Sequence, residues 1–167
     1  PPAETRDIKH QAVHKNCIKL LYVLLLQEDW VNKPYRFLAD KAGIAASTIG
    51  DILNDLKIAK FLLQINEHKM ALANKPELLS QWVAAFNKKL KPKLSKGKFR
   101  FSKNTAWQDW KKAGLDNAAF WGGEPAADLL THHLQPGVWT IYTDLDRHAL
   151  VKDLQLIPDP KQGNVEV

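Results

Sequence analysis

The residues of this chain best suited to chemistry are those that can meet a nucleic acid. Ala46, Ser47, Thr48, Asp51 and Asn54 stand where a short helix, a glycine turn and a second helix would present them to a major groove. Ser, Thr and Asn read base edges by hydrogen bonding, and Asp accepts from cytosine N4. With Asp51 and Asp55 present and no basic residue before Lys57, this helix leaves base reading and protein docking both open. Lys33, Arg36, Lys57, Lys60 and Lys69 are its phosphate-directed complement, contacts that position a protein on a duplex without specifying sequence. A further run, Lys88, Lys89, Lys91, Lys93, Lys96, Lys98, Arg100 and Lys103, holds no carboxylate. It reads as an anion-seeking strip or as a solvated linker.

Other chemistry is poorly served. His132, His133, Asp144 and Asp146 are the one cluster with metal or acid-base potential. Adjacent histidines on a helix point about 100° apart, and Asp immediately before a helix is an ordinary cap, so a structural role is expected. The stretch Trp121-Gly122-Gly123-Glu124-Pro125 places a glycine pair before a helix with Pro125 at its first position. Glu124 occupies the place an anion would need, so this is expected to be a structural turn, its carboxylate complementing the helix dipole as His132 and His133 do at the other end. Cys17, the single cysteine, forms no internal disulfide and sits on an apolar helix face, as a core thiol does. No catalytic residues, no metal and no cofactor are expected, and the chain is not expected to be an enzyme.

The elements that must position these residues follow from periodicity. Gln11–Leu26 carries Cys17, Ile18, Leu21, Leu24 and Leu25 at helical spacing, with Lys15 and Lys19 outside the stripe. Asn32 and Pro34 give a cap and early-helix signature for Tyr35–Ala42, and Gly43 closes it. A third helix begins near Ala45 with Ile49, Ile52, Leu53 and Leu56 inside. Phe61–Ile65 and Met70–Ala73 then alternate as a hairpin around Asn66, Glu67 and His68. Pro76 opens another helix with Leu78, Leu79, Trp82, Val83 and Phe86 on one face. Beyond it a strand is expected at Lys98–Phe101, helices at Thr105–Ala113, Pro125–Leu134 and Arg147–Leu154, and strands at Val138–Tyr142 and Asn164–Val167. The fold class is α+β: an N-terminal winged helix-turn-helix over 10–74, a helix and basic connector over 75–97, and a small mixed α/β domain over 98–167. The six Trp, at 30, 82, 107, 110, 121 and 139, fall outside the helix-turn-helix and belong mostly to cores.

Composition sets the frame. The 167 residues, 45% hydrophobic and 25% charged, suit one ordinary domain or two small ones with a real core, and argue against disorder or a disulfide scaffold. The apolar run Leu20–Leu26 is far short of the roughly 20 residues of a bilayer span, and no leader precedes it, so no membrane role and a cytoplasmic location are expected. Pro1 in the place of Met and a last strand closed by Val167 read as a fragment. Charge is uneven: the balance is +2 over 1–74, +8 over 75–104 and −4 over 105–167, giving the net +6.

Asn32-Lys33-Pro34-Tyr35-Arg36, Ser47-Thr48-Ile49-Gly50 with Leu53-Asn54-Asp55-Leu56, Trp121-Gly122-Gly123-Glu124-Pro125-Ala126-Ala127 and Ile141-Tyr142-Thr143 resemble AbiEi-type antitoxins of bacterial type IV toxin-antitoxin and abortive-infection systems. The likeness covers most of the chain, and the segment at 121–127 is its most specific part. It implies a winged helix that binds double-stranded operator DNA and represses its own operon, joined to a region that counteracts a nucleotidyltransferase-like toxin. In the branch this chain looks most like, a nuclease-like region often precedes the winged helix. A targeting module of a larger nuclease-like enzyme and a protein-docking scaffold are the alternatives. The toxin-contact residues, the operator and the oligomeric state do not follow from the resemblance.

Overall fold

Apolar residues three and four apart bury the first helix so fully that the elements around it are arranged by what remains exposed. A computed structural model describes residues 14–102, 110–111, 115 and 119–167, and the chain divides into two compact units, Pro1–Leu94 and Ser95–Val167.

In the first unit, α1 spans Lys15–Leu26 and begins where the His14 imidazole accepts from the Cys17 amide. Cys17, Ile18, Leu20, Leu21, Val23 and Leu24 are buried. The interior therefore claims more of the circumference than one stripe, leaving Lys15, Tyr22 and Leu26 exposed. A 3₁₀ turn, Glu28–Asn32, leads to α2, Tyr35–Ala42, which ends on Gly43 at φ +59°, the left-handed conformation that glycine adopts without steric cost. Lys19 reaches across to donate to the Gly43 carbonyl at 3.2 Å. The third helix, α3, spans Ser47–Ile58 and buries Ile49, Ile52, Leu53 and Leu56. Lys60 at φ +63° turns the chain out of it, and the fully buried Phe61 anchors the hairpin that follows. Strands β1, Leu62–Asn66, and β2, Lys69–Leu72, pair antiparallel with Leu62 opposite Leu72. Helix, helix, helix, hairpin is an order compatible with a winged helix.

Asn32 does not cap α2, contrary to its sequence signature; Pro34 holds that position in extended conformation. The Asn32 side chain instead donates to the Met70 carbonyl at 3.0 Å and accepts from the Met70 amide at 2.8 Å. A carboxamide carries donor and acceptor side by side, so one residue satisfies both polar groups of an edge-strand residue. Asn32 thus ties the hairpin to the 3₁₀ turn.

Helix α4, Lys75–Ala85, carries Pro76 in its first turn, where a missing amide costs nothing. It does not end at the basic run. One π-type turn, Phe86–Leu90, carries it into α5, Lys91–Leu94. Lys88, Lys89, Lys91 and Lys93 therefore lie on helical turns, while Lys98 and Arg100 lie on a strand of the second unit. The basic run is not a single extended connector.

The second unit is a five-stranded sheet in the order β4-β5-β7-β3-β6. Its strands are β3, Lys98–Phe101; β4, Ala119–Gly122; β5, Trp139–Thr143; β6, Leu156–Pro158; and β7, Val165–Glu166. The β5–β7 pair is parallel and the other pairs antiparallel. Helix α6, Gly123–Thr131, follows β4, and α7, Arg147–Lys152, follows β5. Phe99, Trp110, Ala119, Trp139, Ile141, Leu150, Leu156 and Val165 form its buried core. Strands β4 and β6 were not expected from the sequence. Helix α6 stops earlier than Leu134 because His132 adopts φ +57°. The helix expected over Thr105–Ala113, the start of the first helix at Gln11, Lys103 and Trp107 lie outside the described residues. Among the described residues, no helix is long and apolar enough to cross a membrane.

Two substitutions separate core from clamp. Leu53→Ala empties buried space in α3 and should cost about 2–5 kcal/mol. Asn32→Ala removes two partly solvated hydrogen bonds and should cost about 1–2 kcal/mol, with faster amide exchange confined to β2. Urea melts and hydrogen exchange measure both; unchanged exchange at Met70 would refute the clamp.

Candidate nucleic-acid interface

On α3 the burial of Ile49, Ile52, Leu53 and Leu56 forces the intervening residues outward. Ser47, Asp51, Asn54 and Lys57 are exposed, as is Ala46 just ahead of the helix. Thr48 is half-buried, and its hydroxyl donates to the Ala45 carbonyl at 2.8 Å. Its proton is thus engaged locally, and the oxygen keeps acceptor capacity. The two acids of this helix have different settings. Asp51 is exposed, whereas Asp55 is half-buried and close enough to Cys17 to act on its thiol. One carboxylate, not two, faces solvent freely from the polar side of α3.

Burial pushes the Cys17 thiol up to about 12, with Asp55 reinforcing the shift and Lys89 opposing it. The thiol therefore stays protonated and unreactive at neutral pH. The same electrostatics place Lys89 near the interior of the first unit, and it is half-buried there, as is Lys91, while Lys88 and Lys93 are exposed.

The other cations lie on neighbouring elements. A side chain at Gly50 would meet the Tyr35 ring at 3.4 Å, so the start of α2 lies close to α3; Arg36, the next residue of α2, is exposed. The Asn32–Met70 clamp sets Lys33 and Lys69, each the chain neighbour of a clamped residue, at one junction of turn and hairpin. Lys33, Arg36, Lys57, Lys60 and Lys69 are all exposed. Neither Tyr35 over Gly50 nor the clamp was foreseen; the asparagine directly before Lys33 carried a signal, but it fits a helix cap equally well.

Charge divides with the units. Residues 1–94 hold fifteen Lys/Arg and nine Asp/Glu, and residues 95–167 hold nine of each, so the whole net +6 belongs to the first unit. In the second, Lys98 pairs with Glu166 at 3.7 Å, Arg100 with Asp159 at 3.7 Å, and Lys111 with the buried Asp128 at 2.6 Å. The Lys96 ammonium donates to the Leu145 carbonyl. Among the described residues, Lys96, Lys98 and Arg100, the part of the basic run that enters this unit, are engaged within it.

The glycine-rich segment proves to be a brace. Trp121 lies opposite Ile141 and Gly122 opposite Thr140. A Cβ at Gly122 would stand 2.2 Å from the Tyr142 ring, and one at Gly123, which sits at φ +54°, 2.7 Å from the Thr140 hydroxyl oxygen. Gly123 is the first residue of α6, so Pro125 comes two positions later than expected. Glu124 does more than complement a helix dipole: its carboxylate accepts from the Gly137 and Val138 amides at 2.7 and 3.0 Å. These bonds hold its carboxyl below the usual range. A single carboxylate oxygen of Glu124 thus joins the start of α6 to the residues that lead into β5.

The family model described as "Transcriptional regulator, AbiEi antitoxin, Type IV TA system" matches residues 71–167, more than half of the chain. The chain belongs to the AbiEi antitoxin family. The match takes in the brace, the whole second unit and α4, and it begins within β2, so α1 to α3 precede it. No curated protein and no solved structure matches the chain. AbiEi antitoxins are transcriptional regulators of type IV toxin-antitoxin systems. Two of the segments that carry the sequence likeness, 121–127 and 141–143, meet where Trp121 lies opposite Ile141 in the sheet of this member. Asp146 caps α7 by accepting from the Ala149 amide at 2.8 Å, His132 is the left-handed end of α6, and Asp144 is exposed. Among the described residues, no group of three or more His, Cys, Asp or Glu is placed to hold a metal ion.

The brace has a pH signature. The Val138 and Gly137 amides hold Glu124 down, and the Ala149 amide holds Asp146 down. Both groups thus stabilise the fold above the unfolded carboxylate range, about 4, and the stabilisation is lost as pH falls through their lowered folded values. Glu124→Gln should lower the melting temperature at pH 7, with the gap to wild type closing toward pH 2; a gap independent of pH would refute this. Gly123→Ala, strained at positive φ and crowded by Thr140, should destabilise by about 1–3 kcal/mol in a thermal melt.

Proposed function

We propose that the first unit is a winged helix that binds duplex DNA and through it regulates transcription, the second unit carrying the antitoxin side of the family's work. The observation that carries this reading is the exposed polar side of α3, Ser47, Asp51 and Asn54, in a unit where Lys33, Arg36 and Lys69 are exposed and the Asn32–Met70 clamp sets Lys33 and Lys69 at one junction. Phosphate contacts supply most of the affinity of such a surface and little of its specificity. Ser47 and Asn54 read base edges, Asp51 selects cytosine by accepting from N4, and Ala46 packs against thymine methyl. Lys57, Lys60, Lys88 and Lys93 extend the phosphate contact. Lys89 and Lys91, half-buried, contribute less. Thr48 adds a hydroxyl acceptor at the helix start.

Family membership supports the regulatory role, and the confinement of net positive charge to residues 1–94 supports assigning the polyanion to this unit. A toxin of nucleotidyltransferase type, which the sequence likeness implies, is the proposed cognate of the system. One observation favours a second reading, a hairpin that docks protein: Leu63 and Ile65, on one face of β1, are exposed.

A mobility shift with the chain's own upstream DNA, against random DNA of equal length, decides between them. Binding to both, tighter to the upstream sequence, is expected. Asn54→Ala should erode that preference by about 1–3 kcal/mol. Lys33→Ala with Lys69→Ala should weaken binding to both alike and flatten the log-log salt slope by about 0.9 for each phosphate no longer neutralised. No shift of either DNA at low salt would leave the docking reading.

A further inference from the structure

The root of the hairpin is held by the core, and its outer half by Asn32. Phe61 is fully buried, its carbonyl accepts from the Ala73 amide at 2.9 Å, and Leu62 is buried beside it. Farther out, the register slips between Gln64 and Asn66, so Ile65 has no residue opposite it. A bulge disrupts the ladder locally, and a two-stranded hairpin is only marginally stable by itself. Lys69, opposite Asn66, lies just past that interruption. At the same level Met70 turns both its backbone polar groups to the Asn32 carboxamide, at 2.8 and 3.0 Å. One side chain thus stands in for a third strand where the second gives least support.

The other side of the clamp is fixed to α2. Val31 is buried, and Trp30 meets the Phe37 ring edge-on, centroids 5.0 Å apart. Phe37 belongs to α2, so the 3₁₀ turn cannot move without that helix. Lys33 follows in extended conformation, φ −81° and ψ 157°, which a following proline favours. Its amide donates to the Trp30 carbonyl at 2.8 Å. The run Asn32-Lys33-Pro34 therefore binds the hairpin, fixes the Lys33 backbone and begins α2 within three residues.

We infer that Asn32 is a positioning residue for duplex contact: through Met70 it holds the hairpin so that Lys69 meets phosphate in register with Lys33. The inference rests on the DNA-binding reading of the first unit. It gives a neutral contact between a side chain and the backbone a share in an electrostatic affinity. A lysine releases counterions from a duplex only while its ammonium is kept beside the phosphates. On an untethered hairpin Lys69 would sample many positions, and gathering them again on binding costs entropy. The sign of the charge matters as well. Glu67 is exposed at the turn, two residues from Lys69, and a hairpin free to swing would bring this carboxylate to the phosphates as readily as the ammonium. Holding the hairpin from the Asn32 side selects the cation over the acid.

Fluorescence anisotropy of the full chain on its own upstream duplex, from about 0.1 to 0.4 M salt, tests it. Asn32→Ala removes no charge, yet it should flatten the log-log salt slope by about 0.9 and weaken binding about fivefold at roughly 0.15 M salt, the worth of one phosphate contact. In a Lys69→Ala background the same substitution should change affinity by less than about twofold, because the contact it positions is already gone. Combined with Lys57→Ala, on α3, the two losses should multiply. Each variant is measured well below the melting temperature given by its circular-dichroism melt, so that reduced stability alone leaves the slope unchanged. An unchanged slope for Asn32→Ala, wild-type affinity in Lys69→Ala, or losses at 32 and 69 that multiply would overturn the inference and leave the DNA-binding reading standing. A wild-type chain that binds no duplex at the lowest salt would overturn that reading, and the inference with it.

Discussion

Burial of α1 on nearly every side governs the first unit. Helices α2, α3 and α4 and the 3₁₀ turn all contact it, and its six buried side chains supply a large part of the shared core. A helix claimed from several directions fixes the rotation of each neighbour, since each must turn its own apolar stripe inward. For α3 that stripe is Ile49, Ile52, Leu53 and Leu56. Placing it against α1 determines that Ser47, Asp51 and Asn54 look outward. The polar face proposed to meet DNA is thus set by core packing, without a contact of its own to hold it.

The second unit depends on a more local constraint. Its edge strand β4 passes directly into α6, and the passage is crowded by Tyr142 and Thr140 from β5. Only residues without a side chain fit at 122 and 123, and Glu124 then turns its carboxylate to the amides at 137 and 138. A glycine pair before a helix often signals a phosphate site because it offers free amides to an anion. Here the segment serves instead to join β4, α6 and, through Glu124, the approach to β5. The most specific part of the family likeness is therefore explained as architecture.

Where one face of an element alone decides its burial, the sequence was a sufficient guide. Helix α2 was legible to the residue, from Tyr35 to Ala42 with Gly43 behind it, and α3 and the hairpin fell within two residues of expectation. Of the cations expected to meet phosphate in the first unit, Lys33, Arg36, Lys57, Lys60, Lys69, Lys88 and Lys93 are exposed, while Lys89 and Lys91 are half-buried, which composition alone does not reveal. What stayed hidden required a partner distant in sequence. Asn32 looks like a cap until Met70 is beside it. Ala119–Gly122 looks like a turn until β5 supplies its ladder. Lys98 and Arg100 look like strip until Glu166 and Asp159 arrive. The lysines at 88–93 differ for another reason: the dense positive charge suggests a strip or a linker, whereas Leu90, buried in the core, gives the helix a reason to continue.

The acidity of α3 takes on a different meaning once the fold is considered. A recognition helix with two aspartates would be repelled by phosphates along its length. Asp55, however, is half-buried and acts on the Cys17 thiol instead of standing free in solvent. On the proposed reading the helix meets a groove with Asp51 as its one freely exposed acid. A lone carboxylate that accepts from cytosine N4 discriminates among bases while repelling the phosphates, so on that reading the affinity comes from the exposed cations elsewhere in the unit and the selectivity from the helix itself.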